Sequence, residues 1–133
     1  MSYGSSISLD IPFSEAVARV RAALAGQGFG VLTEIDVTAT LKAKLGEQIE
    51  DYVILGACNP PLAHRALAAD RSIGLLLPCN VVVRATPAGT LVEALDPQIM
   101  ATLTGRPELK PVADEAARRS AAALADLREG GQE

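Results

Sequence analysis

The chain has little that suits the commonest routes to function. It has no Trp, and two Phe and two Tyr are its only aromatic residues, so it offers few platforms on which nucleic-acid bases could stack. Positive charge is also in deficit. Twelve Lys and Arg against sixteen Asp and Glu leave a net charge of −4, the wrong sign for a protein that lives on phosphate backbones. Nucleic acid is therefore not an expected partner. No apolar run reaches the length of a membrane span, and the opening MSYGSSISLD has neither the basic stretch nor the apolar run of a signal peptide. The expectation is a cytoplasmic protein with no membrane partner. Two Cys and one His fall short of a closed tetrahedral zinc site, so no cofactor and no stoichiometric metal are expected. In a chain that is not exported the two Cys are expected as reduced thiols, not as a disulfide scaffold. The motifs GxxxxGK[ST], HExxH, CxxC and GxSxG are absent. The sequence names no reaction, and whether the chain is an enzyme stays open.

What is present is a globular composition: 133 residues, 49% apolar and 21% charged. A chain of this size hides roughly two thirds of its unfolded surface, enough for a self-sufficient core. Neither a repeat nor an internal boundary interrupts it, so residues 1–133 read as one domain.

Ile7, Leu9 and Ile11 alternate with polar neighbours, the period of a half-buried strand. Phe13, Val17, Val20 and Leu24 recur at helical spacing, with Ser14 placed to cap and Glu15 in the first turn, and this helix ends near Gln27-Gly28. Phe29, Val31, Thr33, Ile35 and Val37 alternate with Glu34 and Asp36, which predicts a strand with one buried face. Thr38 is placed to cap a short helix holding Leu41 and Leu45, and Gly46 sits where a left-handed terminating residue is needed.

Tyr52 to Cys58 is apolar on both faces and predicts a central strand. Asn59 followed by Pro60 marks a helix start, and that helix stops near Asp70. A second apolar run, Ile73 to Leu77, meets Pro78, which cannot donate to a sheet ladder, and a strand resumes from Asn80 to Thr86. A turn at Pro87 to Gly89 returns the chain as Thr90 to Leu95, a hairpin. Asp96-Pro97 opens a short helix with Ile99, Met100 and Leu103. A final Ala-rich helix carries Val112, Ala116, Ala123, Leu124 and Leu127, and the terminal GGQE is expected to fray. Five strands and five helices then make an α/β (α+β) domain of two layers. The hairpin excludes a purely parallel sheet and favours a mixed or mainly antiparallel one.

Three features compete as functional signals. Gly26, Gly28 and Gly30 form a glycine run, but it leads from a helix into a strand, the reverse of a phosphate cradle, and reads as a plain turn. His64, alone of its kind, reads as a polar residue on a helix surface.

The third feature is the pair of Cys-Asn motifs, GACNP at Gly56 to Pro60 and LLPCNVVV at Leu75 to Val82. Cys58 precedes a helix start, where free amides and the positive end of the dipole favour a thiolate. If the strands of Cys58 and Cys79 are antiparallel neighbours, the two thiols converge, with Asn59 and Asn80, as a cluster at the sheet's edge. If they are parallel, a strand's length separates them. Against a pocket stands the plainer reading, in which buried Cys is a small apolar filler and Asn beside Pro is an ordinary cap and turn residue.

At these residues the chain resembles a bacterial and archaeal family, domain of unknown function 302. YVILGACNP from Tyr52 to Pro60, LLPCNVVV and LVEALDP from Leu91 to Pro97 carry the resemblance, and TEIDVTATLKAKLG at Thr33 to Gly46 fits it. It covers nearly the whole chain, from about residue 5 to 128. It implies a compact α/β domain with no established activity, and matches the motif at Cys58, Asn59, Pro60, Pro78, Cys79 and Asn80.

Three functions compete. One is a binding module, in which a small-molecule ligand, apolar or anionic, docks near Cys58, Asn59, Cys79 and Asn80. Another is thiol chemistry, sulfur transfer or redox, with Cys58 as nucleophile and Cys79 as resolving partner. The last is assembly as a homodimer, since edge strands need covering, with the apolar residues of the Ala-rich last helix as candidate contacts.

Overall fold

The computed structural model describes residues 3–130. Ten regular elements follow one another: β1 (Gly4–Leu9), α1 (Phe13–Gly26), β2 (Gly30–Asp36), α2 (Val37–Leu45), β3 (Tyr52–Cys58), α3 (Pro60–Ala69), β4 (Cys79–Thr86), β5 (Gly89–Leu95), α4 (Ile99–Thr104) and α5 (Lys110–Gly130). The strands form one open sheet in the order β1-β5-β4-β3-β2, and every neighbouring pair is antiparallel. Of the two arrangements left open by the sequence, the mainly antiparallel one is realised.

Alternate residues of the four inner and left-hand strands face a helical layer. Ile7 and Leu9, Val53, Leu55 and Ala57, Val81 and Val83, and Val92 and Ala94 join Ala16, Val20 and Leu24 of α1 and Ala123 and Leu127 of α5 in one buried cluster. A second cluster lies beside it, where Leu62 and Ala66 of α3 meet Ile73, Met100, Leu109 and the first turns of α5. Burial of this kind stabilises by roughly 25 cal/mol per Å² of apolar surface.

Several local signals behave as read. Asn59 caps α3, its Oδ1 accepting from the Leu62 amide at 3.3 Å with Pro60 in the first turn. Gly46 terminates α2 at φ 68°, and the β4–β5 hairpin closes as expected. The glycine run is a helix-to-strand turn with Gly28 at φ +83°. α5 continues to Gly130, and the fraying expected of residues 131–133 lies outside the described residues.

Other expectations are corrected. β1 begins at Gly4 and ends at Leu9, so Ile11 lies beyond it. Ser14 caps nothing: α1 starts after Pro12 with no side-chain cap. Asp36, not Thr38, caps α2 by accepting from the Ala39 amide at 2.9 Å. Thr38 instead ties the following loop to the helix, donating to the Glu50 carbonyl and accepting from the Tyr52 amide.

β2 has no buried face. It pairs only with β3, and a bulge between Val31 and Thr33 breaks its alternation, so Val31 faces the helices beside Ala57 while Thr33 and Ile35 turn to the other side beside Gly56 and Ile54. One extra residue inverts every position after it.

The Ile73 to Leu77 run is not part of a strand. Arg71–Leu76 is a 3-10 helix, started by Asp70 accepting from the Ser72 amide at 3.0 Å. Ile73 is buried and Leu75 is 89% exposed. β4 then starts at Cys79, directly after Pro78.

Candidate functional site

β3 and β4 lie side by side within the sheet, and their antiparallel register sets Ala57 opposite Cys79 and Gly56 opposite Asn80. Cys58, one residue further along β3, is therefore the diagonal neighbour of Cys79, where one strand ends and the other begins. Both thiols are free and half-buried. Together with Asn59 the two residues line one cavity of about 30 Å³. The cavity sits at the junction of the two core clusters, with Phe29 and Ala57 from the first and Leu62, Met100 and Ala116 from the second in its wall.

The two Cys-Asn motifs are not equivalent. Asn59 is 7% exposed and occupied as the helix cap. Asn80 alternates away from Cys79 and Val81, so it lies exposed on the other face of the sheet, where it shares a shallow depression with Tyr52, Val82 and Leu95. The expected cluster of two thiols and two amides is corrected: Cys79 shares the helix-side face of Ala57, whereas Cys58, one residue on, alternates to the face of Gly56 and Asn80, so the two thiols lie close along the ladder but on opposite faces of the sheet. Nor do they lie at the sheet's edge, because β3 and β4 each have a strand on both sides. His64 is exposed on α3 and is not in the cavity wall, as its plain reading required.

Burial pushes the Cys79 thiol above its ordinary value of 9.0, and the charge of Cys58 adds to that rise. The wall is otherwise almost wholly hydrocarbon, and Asn59 is its one amide side chain.

Backbone and side chains around the cavity hold it in place. Arg119 of α5 donates to the Gln27 carbonyl at 3.0 Å and to Glu115 at 2.8 Å, clamping the turn before Phe29. A Cβ on Gly28 would come within 3.0 Å of the Asn59 amide nitrogen and 3.1 Å of the Arg119 guanidinium, so only glycine fits beside the cap. Sequence reasoning placed Met100 in a short helix but not at this site. No local pattern joins α4 to the ends of β3 and β4. The scarcity of Met is the one signal that could have drawn attention to it.

What the arrangement offers chemically is a half-buried thiol, Cys79, in the wall of a small and mostly apolar cavity. A thiol so placed can bind a soft or electrophilic partner, and its proton must leave for it to do so.

The fold recurs in a solved structure described as "Crystal structure of uncharacterized conserved protein DUF302 from Bacillus stearothermophilus". The two chains are 30% identical, with a TM-score of 0.87 over 94% of this chain and 98% of that one. No curated protein matches this chain. The family model described as "Domain of unknown function DUF302" matches residues 5–127. With the match spanning both Cys-Asn motifs and the fold shared along nearly the whole length, this chain belongs to the DUF302 family.

Proposed function

We propose that this protein is a small binding domain whose ligand is held in the cavity between the two core clusters, against Cys79 and the turn at Cys58-Asn59. One observation carries this reading: Cys79, on the helix-side face of the sheet, lines a cavity that the Cys58-Asn59 turn also walls and that is otherwise almost wholly hydrocarbon, its one side-chain amide already used as a helix cap. Asn80, on the other face, has no part in it. The competing sulfur-transfer or redox reading needs Cys79 as a resolving nucleophile. A thiol pushed up by burial is a slow one, which favours binding over turnover.

Alkylation of the reduced, native protein by a small maleimide tests the reading. Cys58 is expected to react without denaturation, and Cys79 more slowly. If both thiols react only after unfolding, they are packing residues and the binding site is lost with them.

A second reading, assembly as a homodimer, has its own support. Ile54, Val82, Leu91 and Leu95 project from the sheet opposite the helices and join neither core cluster. A copy of the chain docked there would cover them, whereas the expected contacts on the last helix are corrected, because Val112, Ala116, Ala123 and Leu127 are buried in the chain's own core. Light scattering is expected to give twice the 13.8 kDa chain mass, and a charge at Val82 is expected to return the monomer. A monomer mass for the unmodified chain across micromolar concentrations rules the dimer out.

A further inference from the structure

Asn59 is only half engaged. Its Oδ1 caps α3, accepting from the Leu62 amide at 3.3 Å, and this fixes which end of the side chain is left over. The residue is 7% exposed, yet its amide nitrogen has no hydrogen-bond partner among the described residues. No fully enclosed side-chain nitrogen or oxygen among those residues lacks a partner, so this unpaired nitrogen reaches open space. A donor left unpaired at such burial is costly, and an acceptor from outside relieves it.

The turn before β2 sets what that nitrogen faces. A Cβ placed on Gly28 would lie 3.0 Å from Asn59 Nδ2 and 3.1 Å from Arg119 Nη1. Two donors from different elements therefore approach one point, and Gly28, at φ +83°, has no side chain to occupy it. Gly28, Asn59 and Arg119 wall a cleft of about 500 Å³, and Arg65 of α3 stands in the same wall. Arg65 has no ion pair or hydrogen bond among the described residues. Small-molecule sites span about 300–1,000 Å³, and the cleft falls inside that range. Gly28, Arg65 and Arg119 are not in the wall of the cavity beside Cys79, so the two spaces are distinct.

Charge names the class of ligand. Arg65 and Arg119 are the cations of this wall and Glu115 is its one anion, in a chain whose net charge is −4. Glu115 is already taken by Arg118 and by Arg119 Nε. A guanidinium carries five N–H donors, and Arg119 commits two of them, to Glu115 and to the Gln27 carbonyl. The local excess is one positive charge, which a carboxylate neutralises and a doubly charged phosphate overshoots. Pro61, Leu62 and Pro111 add apolar wall for a short carbon skeleton. We propose that Asn59, Arg65 and Arg119 bind the carboxylate of a small organic acid. The bonds are charge-assisted hydrogen bonds, with no covalent step. The proposal goes beyond the cavity beside Cys79 and does not rest on it.

The test is a titration of the ¹⁵N-labelled, full-length protein with sodium benzoate at constant ionic strength, followed by NMR. The side-chain NH₂ signals of Asn59 and the Nε–H signals of Arg65 and Arg119 are expected to shift together and saturate. A Kd on the order of 1 mM is expected for so small a probe. Benzamide, which has the same shape without the charge, is expected to leave these signals in place. Asn59→Asp keeps the capping oxygen but puts a carboxylate where the ligand's would sit. Arg65→Gln removes a charge that no other contact in the fold uses. Each is expected to weaken benzoate by about tenfold or more, the fold-change of one charge-assisted hydrogen bond. Circular dichroism checks each fold, and if Asn59→Asp does not fold, Arg65→Gln carries the test.

The absence of a saturable shift at the three side chains overturns the proposal, as does equal binding of benzamide. An unchanged Kd in Arg65→Gln overturns it too. Inorganic phosphate filling the cleft more tightly than benzoate overturns the carboxylate assignment.

Discussion

Cys79 stands directly across the β3–β4 ladder from Ala57, so that Cys58 is its diagonal neighbour at the point where both strands leave the sheet. Two causes raise the Cys79 thiol above 9.0, burial first and the Cys58 charge second. In Cys58→Ser the pH midpoint for alkylating Cys79 is expected to fall relative to the unmodified protein yet stay above 9.0, because the larger cause remains. Peptide-level mass spectrometry of initial alkylation rates reads this out. Linkage gives a second consequence: past pH 9.0 the unfolded chain releases the proton that the folded one retains, so Cys79 lowers stability as pH rises. A midpoint at or below 9.0 would mean a solvated thiol.

The two asparagines of the Cys-Asn motifs are expected to behave differently. Asn59→Ala removes the α3 cap and leaves the Leu62 amide without its partner, at a cost of about 1–2 kcal/mol. Asn59→Asp, which keeps an accepting oxygen, is expected to restore most of that. Asn80→Ala, on the exposed face, is expected to stay within about 0.5 kcal/mol of the unmodified protein. Urea denaturation separates the three variants, and equal losses at both positions would contradict the placement of Asn80.

Gly56 is tight on the side away from the helices. A Cβ there would land on Thr33 Oγ1 and lie 2.8 Å from Pro78 Cγ. Gly56→Ala is expected to destabilise by about 1–3 kcal/mol through overpacking. Adding Thr33→Ala relieves the first contact but not the second, so denaturation of the double variant should show partial recovery. Full tolerance of Gly56→Ala would mean that β2 and Pro78 yield more freely than their packing indicates.

Glu115 supplies a pH signature on α5. Hydrogen bonds from Arg118 and Arg119 hold its carboxyl down from 4.5 to about 2. A depressed folded value contributes stability above 4.5 that is lost as pH falls toward about 2. The melting temperature of the unmodified protein is therefore expected to exceed that of Glu115→Gln at neutral pH, by a small margin because the group is at the surface. The margin should close across that acid window. An equal margin at both ends would assign the effect to packing of Arg119 rather than to charge.

Local signals in the sequence determined the elements that depend on near neighbours. Asn59 and Pro60 start α3, Gly46 ends α2, and the turn before Gly89 closes the hairpin, because caps and turns are hydrogen bonds spanning a few residues. The apolar periods likewise marked β3, α1 and α5, and the paired Cys-Asn motifs marked the ends of two strands. Which face each residue occupies was decided elsewhere. The bulge at Leu32 inverts β2 although Val31, Thr33, Ile35 and Val37 alternate with Glu34 and Asp36, and strand alternation sends Cys58 and Asn80 to the face away from Cys79 although the two motifs repeat. The capped 3-10 turn at Arg71–Leu76 replaces a strand-like apolar run because Ile73 is drawn into the second core cluster. Above all, the order of β3 beside β4 and the approach of α4 bring Cys79, Met100 and the turn at Cys58-Asn59 to one cavity. Register parity and long-range packing depend on contacts between distant segments, and no local pattern carries them.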